Sequence, residues 1–220
     1  MKFSTLGMAF MLLAGPAAAP AADINENYQK LQQAVAQKDA AQVKELALAL
    51  YPQVTQLLAT PAPASADDKE AWTSQMAWGK SVAGYAEYSL FATGAAAAAA
   101  QPATTVDLIA TLEGMNPKSK YLDEAYAPYL LALSKTGAAA KVPAIAEKAL
   151  ANFPENDDLL LILADNAMGK QQSDRAAAFA TRLVAAVNRH SKPEGMSAAD
   201  WDRKRNAALS HGYWIAGVIA

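Results

Sequence analysis

The sequence predicts an all-α fold built from antiparallel helical hairpins stacked side by side. Three observations carry that prediction. Strand signals are nearly absent, since no run of alternating β-branched or aromatic residues is bounded by hairpin turns. Alanine fills about a quarter of the 220 positions; it has the best helix propensity and lets helices approach closely. Finally, residues 123–156 slide onto 157–190 at an offset of 34, a period that belongs to arrays of helix-turn-helix units.

The helices follow in order from their start and stop signals. Tyr28 to Gln37 reads as a first helix with Leu31, Ala34 and Val35 on one side. Asp39 caps a second, Ala40 to about Leu58, in which Pro52 should kink or split the helix. Residues 60–68, TPAPASADD, read as a loop, and Ser65 with Asp68 makes a capping pair for a long helix from Ala66 to about Ala92. Gly94 and the six alanines after it read as a helix end plus connector. Pro102 opens the next helix, which Gly114 closes and Asn116-Pro117 stops. A helix from Leu122 to Lys135 stops at Gly137, and another runs from Ala138 to Asn152, ended by Pro154. Asn156 caps Asp157 to Met168, closed by Gly169, and Ser173 caps Asp174 to Asn188. Ser197 and Asp200 form a last capping pair, for a helix running to the end of the chain.

The apolar run Leu159-Leu160-Leu161-Ile162-Leu163-Ala164 is too wide for a lone hairpin, whose helices each bury one stripe. Leu160, Leu163, Ala164 and Ala167 fall at 3- and 4-residue spacing, while Leu159 and Ile162 lie off that stripe. A stack supplies the missing neighbour, because each helix there meets its hairpin partner and the adjacent units. In the 34-residue alignment Tyr129 falls on Leu163, Leu130 on Ala164, Leu133 on Ala167, Val142 on Ala176 and Ala149 on Leu183.

On these residues the chain resembles the tetratricopeptide repeat family. Leu163-Ala164, Gly169, Ala176 and Leu183, and one unit earlier Gly137, Ala149 and Pro154, carry the match. Gly169 comes two residues early, Asn188 stands where the closing Pro belongs, and the signature Trp is missing from both units. The resemblance implies a right-handed α-solenoid. It covers two repeats at 121–190, with diverged hairpins over 22–120 and the start of a further repeat, expected to be truncated, over 191–220. It also implies a partner groove lined by one face of each unit's first helix. That face carries Glu124, Ala127, Leu131 and Lys135, then Asp158, Leu161, Asp165 and Met168, with His211, Trp214 and Val218 following. The mix is apolar and acidic, unlike the Lys/Asn set with which some members of that family grip a C-terminal carboxylate.

Composition narrows function further. Residues 1–21 show one positive charge at Lys2, an apolar stretch from Phe3 to Ala14, Gly15-Pro16, and Ala19-Pro20-Ala21 as a cleavage site before Ala22. This layout predicts a cleaved secretory signal, hence a periplasmic or secreted protein. Its apolar core is too short to span a bilayer, so no membrane insertion of the mature chain is expected. No Cys is present, which removes disulfides, zinc–thiolate sites and thiol nucleophiles. The formal net charge of −2 does not suit nucleic acid, although Arg182, Arg189, Lys192, Arg203, Lys204 and Arg205 form one local basic cluster. That cluster reads as a solvated surface or a dock for an acidic partner. GKSVAG at 79–84 misses nucleophile-elbow spacing and lies in a helical pattern, and the two histidines, His190 and His211, are not at ligand spacing. Asp67-Asp68 and Asp157-Asp158 sit at helix starts, where carboxylates complement the dipole. Trp72, Trp78, Tyr85 and Tyr88 at helical spacing read as packing or as a ligand platform. The reading is a protein- or peptide-binding scaffold without cofactor, metal or catalytic residues; a structural subunit of an envelope assembly is the alternative.

Placement of the apolar run can be tested directly. Leu163→Ala should cost about 2–5 kcal/mol in urea unfolding. A loss below about 1 kcal/mol would contradict a core position.

Overall fold

The computed structural model describes residues 18–192 and 196–219. The apolar segment of the predicted signal, and Lys2 before it, lie outside the described residues. Among the described residues there are nine α-helices: α1 Ala18–Gln37, α2 Ala40–Leu58, α3 Ala66–Ala97, α4 Pro102–Met115, α5 Leu122–Lys135, α6 Val142–Leu150, α7 Asp157–Gly169, α8 Ser173–Arg189 and α9 Ala198–Ile219. A single 3-10 turn, Ala139–Lys141, precedes α6. None of these described helices is long and apolar enough to cross a membrane. The chain forms two compact units whose boundary falls inside α3, between Ser89 and Leu90.

In the first unit α1 and α2 form an antiparallel pair around Ile24, Leu31, Ala34, Val43, Ala47, Leu50 and Val54, all buried. Asp39 caps α2 as expected, its carboxylate accepting from the Gln42 amide at 3.0 Å. Pro52, however, does not split α2. The carbonyl that loses its partner belongs to Leu48, an exposed residue, so water can take that bond. On α3, Tyr85 meets Tyr28 edge-on and Glu87 accepts from the Tyr51 hydroxyl at 3.1 Å. The GKSVAG segment is ordinary α3 helix.

In the second unit two expected stops are corrected. α3 runs through Gly94 to Ala97, because the following alanines favour helix and the Gly94 carbonyl is itself used, accepting from the buried Thr105 hydroxyl at 2.7 Å. α4 likewise passes Gly114 and ends at Met115, with the extended Asn116 as its cap just before Pro117. α4 and α5 are tied by Tyr126, whose hydroxyl donates to Glu113 at 3.4 Å. Burial first, then the Glu113 charge, lifts both nearby phenols, Tyr129 up to about 12 and Tyr126 further, so both stay protonated. Three smaller boundaries also move. α1 begins at Ala18 rather than Tyr28, the stretch 138–152 divides into a 3-10 turn and α6, and Gln172 rather than Ser173 precedes α8.

Burial repeats with the period read from the sequence. Tyr129 and Leu163, Leu130 and Ala164, Leu133 and Ala167, Val142 and Ala176, and Ala149 and Leu183 are all buried. α7 touches α5, α6, α8 and α9. That accounts for the wide apolar run: Leu159, Leu160 and Leu163 are buried together, and Ile162 is half-buried. At the start of α7 the buried Asn156 is fully used. Its oxygen accepts from the Leu159 amide at 2.9 Å, and its nitrogen donates to the Asp123 carbonyl and carboxylate, each at 2.8 Å. α9 lies against α8 through Gly212, where a Cβ would stand 2.8 Å from Val184 Cγ2. A stiff valine cannot give way there, so a larger residue would lift α9.

Helix ends repeat as well. Lys38, Gly137 and Gln171 all adopt left-handed conformations with φ of 57°, 81° and 57°. Each follows a helix, and each is framed by the same pair of backbone bonds, such as Ala138 N to Leu133 O and Gln172 N to Ala167 O. Gln171 stands 34 residues after Gly137. The stop expected at Gly169 therefore belongs to Gln171, and the unit keeps its length. A non-glycine residue in this conformation carries a strain of about 1 kcal/mol, so Gln171→Gly should raise stability by roughly that amount. Gly137→Ala should lower it comparably. Chemical denaturation of the two variants checks both signs, and equal midpoints would refute the shared stop.

Candidate functional site

The groove positions proposed from sequence fall on three helices of the second unit. On α5, Glu124, Ala127, Leu131 and Lys135 are exposed, with Leu131 at 56%. On α7, Asp165 is exposed while Asp158, Leu161 and Met168 are half-buried. On α9, His211 is half-buried, and Trp214 and Val218 are 55% and 59% exposed. None is a fully buried core residue. Residues of α9 that point the other way close the core: Ile215 is buried against Ala164, Ala167, Ala176 and Ala180, with Met168, Phe179 and Ile219 at the edge.

Side-chain contacts join α7 to α9 twice. Asp165 Oδ1 lies 2.6 Å from His211 Nε2. Seven residues earlier on both helices, Lys204 Nζ lies 3.1 Å from Asp158 Oδ2 and 3.3 Å from Asp157 Oδ2. The equal spacing shows that α7 and α9 run parallel. The His211 ring also sits 5.6 Å from the Trp214 ring, so Asp165, His211 and Trp214 form one connected surface group. α5 joins α7 through Asp123 and Asn156 at their N-terminal ends. The structure thus brings the α7 and α9 positions together by direct contacts; Glu124, Ala127, Leu131 and Lys135 are exposed on α5, which packs against α7.

Sequence reasoning missed Lys204 and Asp157 as members of this group. Their separation of about 47 positions gave no signal, and Asp157-Asp158 has a sufficient local reason at a helix start. Burial raises Asp158 above the usual carboxylate range, with Asp157 adding to the rise and Lys204 opposing it. Burial pulls Lys204 down, but Asp158 and Asp157 outweigh it and hold its ammonium above the ordinary value. The rise of Lys204 reflects two carboxylates set against one ammonium, whereas that of Asp158 is chiefly the cost of burial.

The basic cluster is engaged inside the chain. Arg182 donates to the Pro154 carbonyl and Arg189 pairs with Glu155. Lys192 donates to the Met196 carbonyl, Arg203 pairs with Asp200, Lys204 with Asp157 and Asp158, and Arg205 donates to Asn188. Arg175 and Arg182 also flank the Phe179 ring, and Arg175 reaches Glu147 of α6. The arginines at 175, 182 and 189 therefore run along α8 at heptad spacing and tie it to the preceding hairpin. In the first unit, Trp72, Trp78, Tyr85 and Tyr88 are half-buried, and Trp72 donates its indole N–H to the Thr60 carbonyl.

No family model matches this chain, and no significant match to it was found among the curated proteins or the solved structures.

The charged trio yields a pH-dependent prediction. Asp158, with its folded pKa raised, favours the fold as the neutral acid; that contribution is complete below the ordinary carboxylate pKa and is lost as pH rises through the folded value. Lys204, also raised, contributes stability that persists until pH climbs through its folded pKa. Lys204→Met should therefore cost about 0.5–1 kcal/mol near neutrality, because the pair is partly exposed. The loss should shrink in acid as Asp158 takes up its proton. Urea unfolding at both conditions measures it; a loss that grows in acid would refute the assignment.

Proposed function

We propose that this chain is an exported protein-binding scaffold rather than an enzyme. In this reading α5 to α9 form a right-handed α-solenoid of tetratricopeptide-like hairpins, and the faces of α5, α7 and α9 form a groove for a peptide or protein segment. One observation carries it: these helices expose large apolar side chains, Leu131, Trp214 and Val218, and Trp214 lies against His211 of the ordered Asp165–His211 contact. Leu131 stands 34 residues before Asp165 and Glu124 the same distance before Asp158, as equivalent positions in successive units should. Exposed aromatic and aliphatic groups set beside fixed polar ones are what a recognition surface requires. The alternative, an envelope subunit docking through its basic cluster, is less well supported, since all six cluster residues have intrachain partners.

Affinity capture from an envelope extract, with this chain as bait, tests the reading. A specific partner should be retained by the wild-type chain and lost with Asp165→Arg or Trp214→Ser, both of which change accessible positions. Retention in both variants, with loss when Arg203 and Arg205 are reversed to Glu, would favour the structural-subunit reading instead.

A further inference from the structure

The groove's two ends differ in chemistry. At the N-terminal ends of α5 and α7 lie Asp123, Glu124, Asp157 and Asp158, answered by Lys204 of α9. Around Lys204, the carboxylates of Asp123, Asp157 and Asp158 against one ammonium leave a local negative excess; Lys118 and Lys120 stand in the turn before α5. The helix N-termini offset part of it, since each carries about half a positive charge that fades within the first turn. The raised value of Lys204, which Asp158 and Asp157 hold up against its burial, agrees with a remaining excess. Toward the other end of α7 and α9 the surface turns apolar: Met168 is half-buried, and Trp214 and Val218 stand open one helical turn apart. Asp165 lies between the two regions, held by His211. Because α7 and α9 run parallel, the acidic and apolar ends succeed one another along a single direction.

We propose that the groove takes a cationic amphipathic segment of a protein partner, with its Lys or Arg residues against the carboxylate end and its large apolar residues against Trp214 and Val218. This rests on the groove reading above and adds the partner's chemistry and orientation to it. The charges attract and orient the segment, and burial of its apolar side chains holds it. An acidic segment is repelled at the carboxylate end, and a polar cationic one finds nothing to bury at the other.

Three synthetic peptides of equal length test this by fluorescence anisotropy with the full chain: one combining Lys with Leu and Phe, one with every Lys replaced by Glu, and one with every apolar residue replaced by Ser. The Lys/Leu/Phe peptide should bind at least about tenfold more tightly than either of the others, and its affinity should fall with added salt. Glu124→Lys and Trp214→Ser should each weaken it several-fold. Glu70→Lys, an equal charge change on α3, should not, and circular dichroism of each variant establishes that it is folded. Equal affinity for the Lys and Glu peptides, with loss in Trp214→Ser, would overturn the cationic preference and leave the groove standing. Binding that is indifferent to both groove variants, or no binding of any peptide, would overturn the groove as well.

Discussion

The second unit depends on the burial of α7 from more than one direction. A helix of this length with Leu159, Leu160, Leu163, Ala164 and Ala167 all hidden needs several neighbours at once, and it has them in α5, α6, α8 and α9. Alanine sets the spacing. Ala164, Ala167, Ala176 and Ala180 make the seam on which Ile215 closes, so helices approach closely and a few large residues lock them. Burial of this kind is nondirectional and permits sliding. The polar links supply what it lacks: Asn156 to Asp123, Lys204 to Asp158, and the α8 arginines to the hairpin before them each fix one helix against another.

Most helices were legible because their signals are local. Asp39 and Asn156 cap where their side chains can reach an amide three residues on, and Ser197 with Asp200 does the same at α9. Errors gathered where one residue type was asked to decide alone. Gly94, Gly114 and Gly169 all read as stops and all lie within helices. The left-handed stops fall at Lys38, Gly137 and Gln171, and only Gly137 announces itself by composition. Backbone hydrogen bonding around the turn holds the other two, and no reading of residue type could find them. The same fact restores the register: the early glycine seemed to shorten the second unit, whereas the turn itself stands 34 residues after its predecessor.

That the residues expected to line a groove lie outside the core was also legible, since periodicity tells inner from outer positions on a helix. Which of them meet was not. His211 touches Asp165, and Lys204 touches Asp158, across 46 residues in each case. The basic cluster reads the same way. Six cations close in sequence stay at the surface, yet each has an intrachain partner that sequence proximity did not reveal.

Asn156 has a consequence for the lifetime of the molecule. Its amide nitrogen fastens two hairpins while its oxygen starts a helix. Spontaneous deamidation would exchange that nitrogen for a charged oxygen. The capping role would survive, since aspartate caps a helix as well as asparagine does. The joint would not: a new carboxylate would face the Asp123 carboxylate and carbonyl across less than 3 Å, with no hydrogen between them. Ageing at this one atom would thus loosen neighbouring units while leaving every helix wound, damage that a helicity measurement would overlook.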